Sequence, residues 1–204
     1  MRIVLLDAGH GGIINNVYVT AGKRSDIWAD GSQYFEGVGN RLIREELIKL
    51  LKKAGIRYKV VNEGNKDTCL RDRVNYINSQ ARKYGAKNTL LISIHSNGFK
   101  EKQAHGWSCF TSPNKTMSDK YAETLYDKMR LEFPRERMRT DYIDGDQDKE
   151  ANFVLLTKTI CPAILSENFF HTNERECKEI LMKKKGRKKI ANAHFEMIKK
   201  YYRK

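Results

Sequence analysis

The chain of 204 residues has only three prolines and four cysteines. With 40% hydrophobic residues it can bury a real core, which excludes an intrinsically disordered chain. Cys69, Cys109, Cys161 and Cys177 lie 40, 52 and 16 positions apart, a spacing that makes neither a CxxC zinc clip nor a redox pair. They are expected to be reduced and mostly buried, and a disulfide-stapled miniprotein is excluded. Long apolar runs are missing as well. Ile3–Leu6 and Leu90–Ile92 fall far short of the roughly 20 residues that span a bilayer, so no transmembrane helix is expected. Arg2 leads into four apolar residues and then Asp7, too few for the roughly 7–15-residue core of a secretory signal. The reading is a chain made for the cytoplasm. No internal repeat and no linker rich in Pro, Ser or Gly divides it, so residues 1–204 form one domain.

What is present alternates between strand and helix. Arg2–Asp7 is a short apolar run stopped by Gly9-His-Gly-Gly12, the pattern of a strand buried on both faces. After a loop to Phe35, apolar residues recur at spacings of three and four from Gly37 to Ala54, with Gly55 where a helix C′ residue belongs. Ile56–Val61 is expected as a strand, Leu70–Tyr84 as a helix and Thr89–His95 as a strand. Gly106–Thr111 follows as a strand, Ser118–Leu131 as a helix and Pro162–Glu167 as another strand, with helices from about Asn173. Arg135–Glu150 reads as a long polar loop. The order implies an α/β fold with a mostly parallel, twisted sheet of about six strands flanked by helices.

Acidic residues are in deficit: 25 Asp and Glu against 39 Lys and Arg give a formal net charge of +14. Residues 178–204 hold eleven of the cations against Glu179 and Glu196, so +9 sits in this segment. Ile190, Phe195, Ile198 and Tyr202 then fit one helical face. The segment reads either as the solvated face of a docked helix or as a patch attracting anionic envelope polymers or a membrane surface. A nucleic-acid partner is not expected, because neither zinc-finger spacing nor an RNP-like aromatic motif accompanies the charge.

In parallel α/β sheets ligands bind beyond the carboxyl ends of the strands. His10 follows the first strand, His95 ends the third, Glu167 ends the Pro162–Glu167 run, and Glu36 stands just before the first long helix. Two imidazoles and a carboxylate make a three-ligand zinc site with an open position, and a second carboxylate kept off the metal would serve as base. Asp26 and Asp30 are rival ligands, but they lie in a polar, Gly-bearing loop.

At these residues the chain resembles the zinc-dependent N-acetylmuramoyl-L-alanine amidases of the type-3 group. Asp7-Ala-Gly-His-Gly-Gly12 is similar to that family's D-P-G-H-G-G turn, and Glu36-Gly-Val-Gly-Asn40 to its helix-opening glutamate. Leu70-Arg-Asp-Arg-Val-Asn-Tyr-Ile-Asn78 resembles L-x-x-R-x-x-x-x-N, and Ser93-Ile-His-Ser-Asn97 resembles S-I-H-x-N. Ala104-His-Gly106 sits where the family has a Gly ahead of a strand, and Pro162–Asn173 resembles P-A-x-L-x-E-x-G-F-x-x-N. The resemblance implies His10, Glu36 and His95 as zinc ligands, Glu167 as general acid/base, and peptidoglycan as substrate, cut between N-acetylmuramic acid and L-alanine. With no signal segment and a single short domain, the expectation is a phage or prophage endolysin, monomeric, held in the host cytoplasm and acting on the wall after release. Another amide or peptide substrate is the alternative within the same chemistry, and a non-enzymatic basic protein that binds the wall or nucleic acid is the alternative outside it.

Three positions depart from the family pattern. Ala8 replaces Pro, Phe169 stands where Gly is usual and is expected to redirect the backbone and narrow the pocket, and His171 occupies an apolar position as a substrate contact or as a surface or packing residue. The segment from Ile13 to Phe35, longer than in most relatives, is expected to wall the cleft with Lys23, Arg24, Trp28 and Tyr34.

Overall fold

The computed structural model describes residues 2–143 and 145–202. Its sheet has six strands in the order β4-β1-β5-β8-β6-β7. These are β1 (Ile3–Ala8), β4 (Tyr58–Val60), β5 (Thr89–Asn97), β6 (Ser108–Thr111), β7 (Lys149–Glu150) and β8 (Ala163–Phe170). β4, β1, β5 and β8 run parallel, β6 runs against β8, and β7 is parallel to β6. The mostly parallel α/β arrangement matches the alternation in the sequence.

The helices are α1 (Glu36–Lys53), α2 (Leu70–Tyr84), α3 (Asp119–Glu132), the short α4 (Val154–Thr157) and α5 (Glu174–Glu176), and α6 (Lys184–Tyr202). β1 shows why two helical layers are needed: all six of its residues are fully buried. Val4 and Leu6 face Ile43, Leu47 and Leu51 of α1, Leu125 of α3 and Ile198 of α6, whereas Ile3 and Leu5 face Ile77 and Ala81 of α2 and Leu155 of α4. Each strand residue thus has a side to bury against, and the alternation assigns it.

The structure revises the expected boundaries in particular places. The second expected strand, Ile56–Val61, is reduced to β4, and the Pro162–Glu167 strand runs on through Phe170. The segment after His10 contains a two-stranded hairpin, β2 (Ile13–Ile14) with β3 (Val17–Tyr18). Its tip residues Asn15 and Asn16 have φ of 48° and 63°, the left-handed turn that asparagine tolerates. The polar stretch from Arg135 to Glu150 joins the sheet edge through a Trp107–Met138 bridge and β7. Cys109, Cys161 and Cys177 are buried and Cys69 is exposed, all four free. No described helix is long and apolar enough to cross a membrane.

The basic segment is structural as well as charged. Ile190, Ala191, Met197 and Ile198 of α6 are fully buried, and α6 packs on α1 and α3. Its His194 is also fully buried, with Nδ1 donating to the Ile190 carbonyl at 2.8 Å and Nε2 facing the Ser166 hydroxyl at 3.0 Å. Burial pushes the imidazole down to about 4, so folding favours its neutral form. The stabilisation is complete above the ordinary His value of about 6.5 and is lost as pH falls through the folded value, a difference of about 3 kcal/mol. Urea unfolding at neutral pH and near pH 4 should show this loss in the wild type, and His194→Met should remove that part of the slope; an unchanged slope would contradict it.

Candidate metal centre and cleft

The carboxyl ends of β1, β5 and β8 bring the expected residues together. His95 of β5 is register partner to Glu167 of β8, and His10 leaves β1 two residues after Ala8. His10 has φ of 66°, a left-handed conformation costly for a non-glycine residue. Arg41 of α1 fixes this turn, donating to the His10 carbonyl at 2.7 Å and to the Gly37 carbonyl at 2.8 Å. Two close approaches require glycine. A Cβ on Gly37 would lie 1.8 Å from the Gly11 carbonyl oxygen, and one on Gly9 would lie 2.1 Å from the His95 ring.

Glu36 therefore enters the turn at the first position of α1, where the helix dipole favours a carboxylate. Its Oε1 is 3.3 Å from His10 Nε2 and 3.2 Å from His95 Nδ1. Candidate ligand atoms of His10, Glu36 and His95 all lie within 4.8 Å of one another. Donors about 2.0 Å from a tetrahedral ion stand about 3.3 Å apart, so the carboxylate's distances to both imidazoles fit a shared metal. Asp26 and Asp30 play no part: Asp26 pairs with Lys102 at 2.7 Å, and Asp30 holds Ser32 and Lys178.

The electrostatics of the cluster follow from burial and proximity. Burial acts to raise the Glu36 carboxyl, but His10 and His95 outweigh it and hold the group well below the usual carboxylate range. Burial acts to lower His95, and Glu36 and Glu167 overcome it. Glu167 is pushed up to about 7, chiefly by burial and against the pull of His95; its Oε2 is buried without a hydrogen-bond partner among the described residues.

Around these four residues lies a polar frame that the sequence reading missed. Tyr34 donates to the Ser96 hydroxyl at 3.0 Å, Ser96 to Asn40 Oδ1 at 3.0 Å, and Asn40 Nδ2 to Glu36 at 3.3 Å. Buried Asp7 accepts from Arg73 at 3.1 Å and from the Ser93 hydroxyl at 2.6 Å, tying α2 to β1 and β5. Asn168 donates to the His95 carbonyl at 3.0 Å, and Glu176 accepts from Gly106 N–H and Phe170 N–H, both at 2.8 Å. Asn173-x-x-Glu176 carries the spacing of a helix-capping pair, and Asn173 does cap α5, but Glu176 spends its carboxylate on the neighbouring strands.

A cavity of about 380 Å³ opens over the cluster, lined by His10, Glu36, His95 and Glu167 and rimmed by Lys23, Arg24 and Lys100. The Ile13–Phe35 segment thus supplies a wall, but through Gly22, Lys23 and Arg24 alone. Trp28 sits instead beside Lys178, and Tyr34 is buried beneath the site, so neither lines the cleft. The segment also props the metal turn: the Tyr18 hydroxyl accepts from Gly37 N–H at 3.0 Å, and Thr20 accepts from Gly11 N–H at 2.8 Å.

The departures resolve physically. Phe169 adopts φ of 64°, the conformation a glycine would serve, at a register shift between β5 and β8. Its ring is fully buried against Phe133 at 4.9 Å, away from the cleft, so the pocket is not narrowed. His171 is not a surface residue: it is 3% exposed, lines the cavity, and uses Nδ1 on the Ser96 carbonyl at 3.0 Å. Burial holds it below the ordinary imidazole value.

Residues 4–200 match the family described as N-acetylmuramoyl-L-alanine amidase. N-acetylmuramoyl-L-alanine amidase AmiA of Escherichia coli (strain K12) is 26% identical over 238 residues, covering 98% of this chain and 76% of that protein. The crystal structure of N-acetylmuramoyl-L-alanine amidase from Clostridium difficile 630 superposes with a TM-score of 0.79 at 25% identity, covering 98% of this chain and 96% of that one. Ami1 from Mycobacterium smegmatis shares the fold, with a TM-score of 0.77 at 19% identity and coverage of 98% and 96%. Matched over nearly its whole length, the chain belongs to the N-acetylmuramoyl-L-alanine amidase family of peptidoglycan hydrolases.

Proposed function

We propose that this chain is a zinc-dependent N-acetylmuramoyl-L-alanine amidase in which His10, Glu36 and His95 hold the ion and Glu167 moves the protons. The observation that carries the reading is Glu36 Oε1 between two imidazole nitrogens, with a separate buried carboxyl facing the same cavity. A bound zinc ion supplies Lewis acidity toward water and toward the scissile carbonyl.

The chain's own groups do the rest. Glu167 accepts the proton of the attacking water through its unpartnered Oε2 and returns it to the departing L-alanine nitrogen, without which an amide is a poor leaving group. Lys23, Arg24 and Lys100 at the rim face the carboxylates of a peptide stem, and His171 lines the same wall.

Two finer readings accompany this. Lys184, Lys185, Lys188 and Lys189 of α6 line a groove of about 690 Å³ with Glu46, Glu132 and Lys49, which pairs with Glu46; the excess of lysines supports attraction of anionic envelope polymers. The second is a lysin role, with synthesis in the host cytoplasm and action on the wall after release.

Glu167→Gln should keep the metal and lose activity on isolated peptidoglycan by about 100- to 10,000-fold, whereas His95→Ala should lose the metal by elemental analysis; near wild-type turnover in the first would remove Glu167 from the mechanism. Reversing Lys184, Lys185 and Lys188 to Glu should weaken wall binding at low salt, with the difference vanishing at high salt, where charges are screened within a few ångströms; equal binding at low salt would remove the groove's role. Cells producing the chain internally should stay intact until chloroform permeabilises the membrane and then lyse. Lysis beforehand, or none afterward, would contradict the lysin role.

A further inference from the structure

The sheet edge formed by β7 carries an acidic pair that the cleft does not use. Asp146 and Asp148, just before β7, are 9% and 4% exposed. The Thr111 hydroxyl at the end of β6 donates to Asp148 Oδ2 at 2.7 Å. Asp146 Oδ1 and Asp148 Oδ1 are buried with no donor among the described residues; the two carboxyls stand within hydrogen-bond reach of each other, and burial together with this neighbour pushes Asp148 up to about 8. No lysine, arginine or histidine forms an ion pair with either aspartate among those residues. Asp119, in the first turn of α3, adds a third negative charge, and its own oxygens are taken up by the Thr116 N–H and hydroxyl.

Burying one carboxylate without a partner is unfavourable, and burying two side by side is more so. A cation between the unpartnered oxygens removes both penalties. The donors are all oxygen, which selects a hard divalent ion over zinc, and a loop without regular structure suits the variable coordination of calcium better than the strict octahedron of magnesium.

We propose that Asp146 and Asp148 form a calcium site that staples the loop before β7 to the end of β6. It is separate from the His10–Glu36–His95 cluster: β6 runs against β8 with Ser108 opposite Glu167, and Thr111 lies further along, away from the cleft. Calcium here braces the sheet edge and takes no part in amide hydrolysis.

Thermal unfolding of the zinc-loaded protein tests this, with and without millimolar calcium chloride at constant ionic strength. The wild type should gain about 5 °C in Tm from calcium. Asp148→Asn and Asp146→Asn should each lose the gain, either one sufficing should the other fail to fold, and His10→Ala should retain it. An unmoved wild type would mean that the two carboxyls share a proton, and would overturn the site. So would a full calcium response in both Asn variants, or its loss in His10→Ala. A magnesium response as large as that of calcium would overturn the choice of ion.

Discussion

One buried carboxylate governs the architecture of the cleft. Glu36 is 2% exposed, yet it is kept ionised by the two imidazoles that face its Oε1. Leaving such a group in the interior is tolerable only when every nearby donor is aimed at it. The structure provides this with Ser96 N–H and Asn40, which donate to it, and with Tyr34, which anchors Ser96, while the imidazole nitrogens of His10 and His95 that face it are those that would share the ion. The same negative charge acts on Glu167, which has no comparable donors and is pushed up where Glu36 is pushed down. The two carboxyls of one cavity thus stand in different surroundings, one ringed by donors and the other buried with an unpartnered oxygen.

The frame that holds this cluster is itself polar and buried. Asp7 and Arg73 join β1 to α2, and Arg41 carries the strained His10 turn from α1. Buried pairs of this kind do little for net stability, but removing one partner is strongly destabilising, so they fix geometry more than they add free energy. The left-handed residues His10 and Phe169 are the counterpart: local backbone cost is accepted where clamps or a buried ring over-determine the conformation.

How much of this was legible in the sequence depended on whether a pattern is local. β1, β5 and α1 announced themselves through continuous or periodic burial, and His10, Glu36, His95 and Glu167 through their places at strand and helix ends. The β2–β3 hairpin did not, because two-residue strands with exposed side chains carry no periodicity. The polar frame was illegible for another reason: Asn40, Ser96, Asn168 and Glu176 look like surface residues until tertiary contacts pair them. Trp28 and Tyr34 looked like part of the cleft wall because aromatics in a polar loop suggest exposure, whereas Tyr34 is buried and bonded to Ser96. The basic helix was legible as charge, but its role as a core element followed only from its packing on α1 and α3.

The central claim is that His10, Glu36 and His95 share one ion. X-ray absorption at the zinc edge on the purified, zinc-loaded protein reads its donors directly. The account predicts a low-coordinate site of two imidazole nitrogens and carboxylate oxygen, at about 2.0–2.2 Å. A site with sulfur donors, or one without two imidazoles, would contradict it.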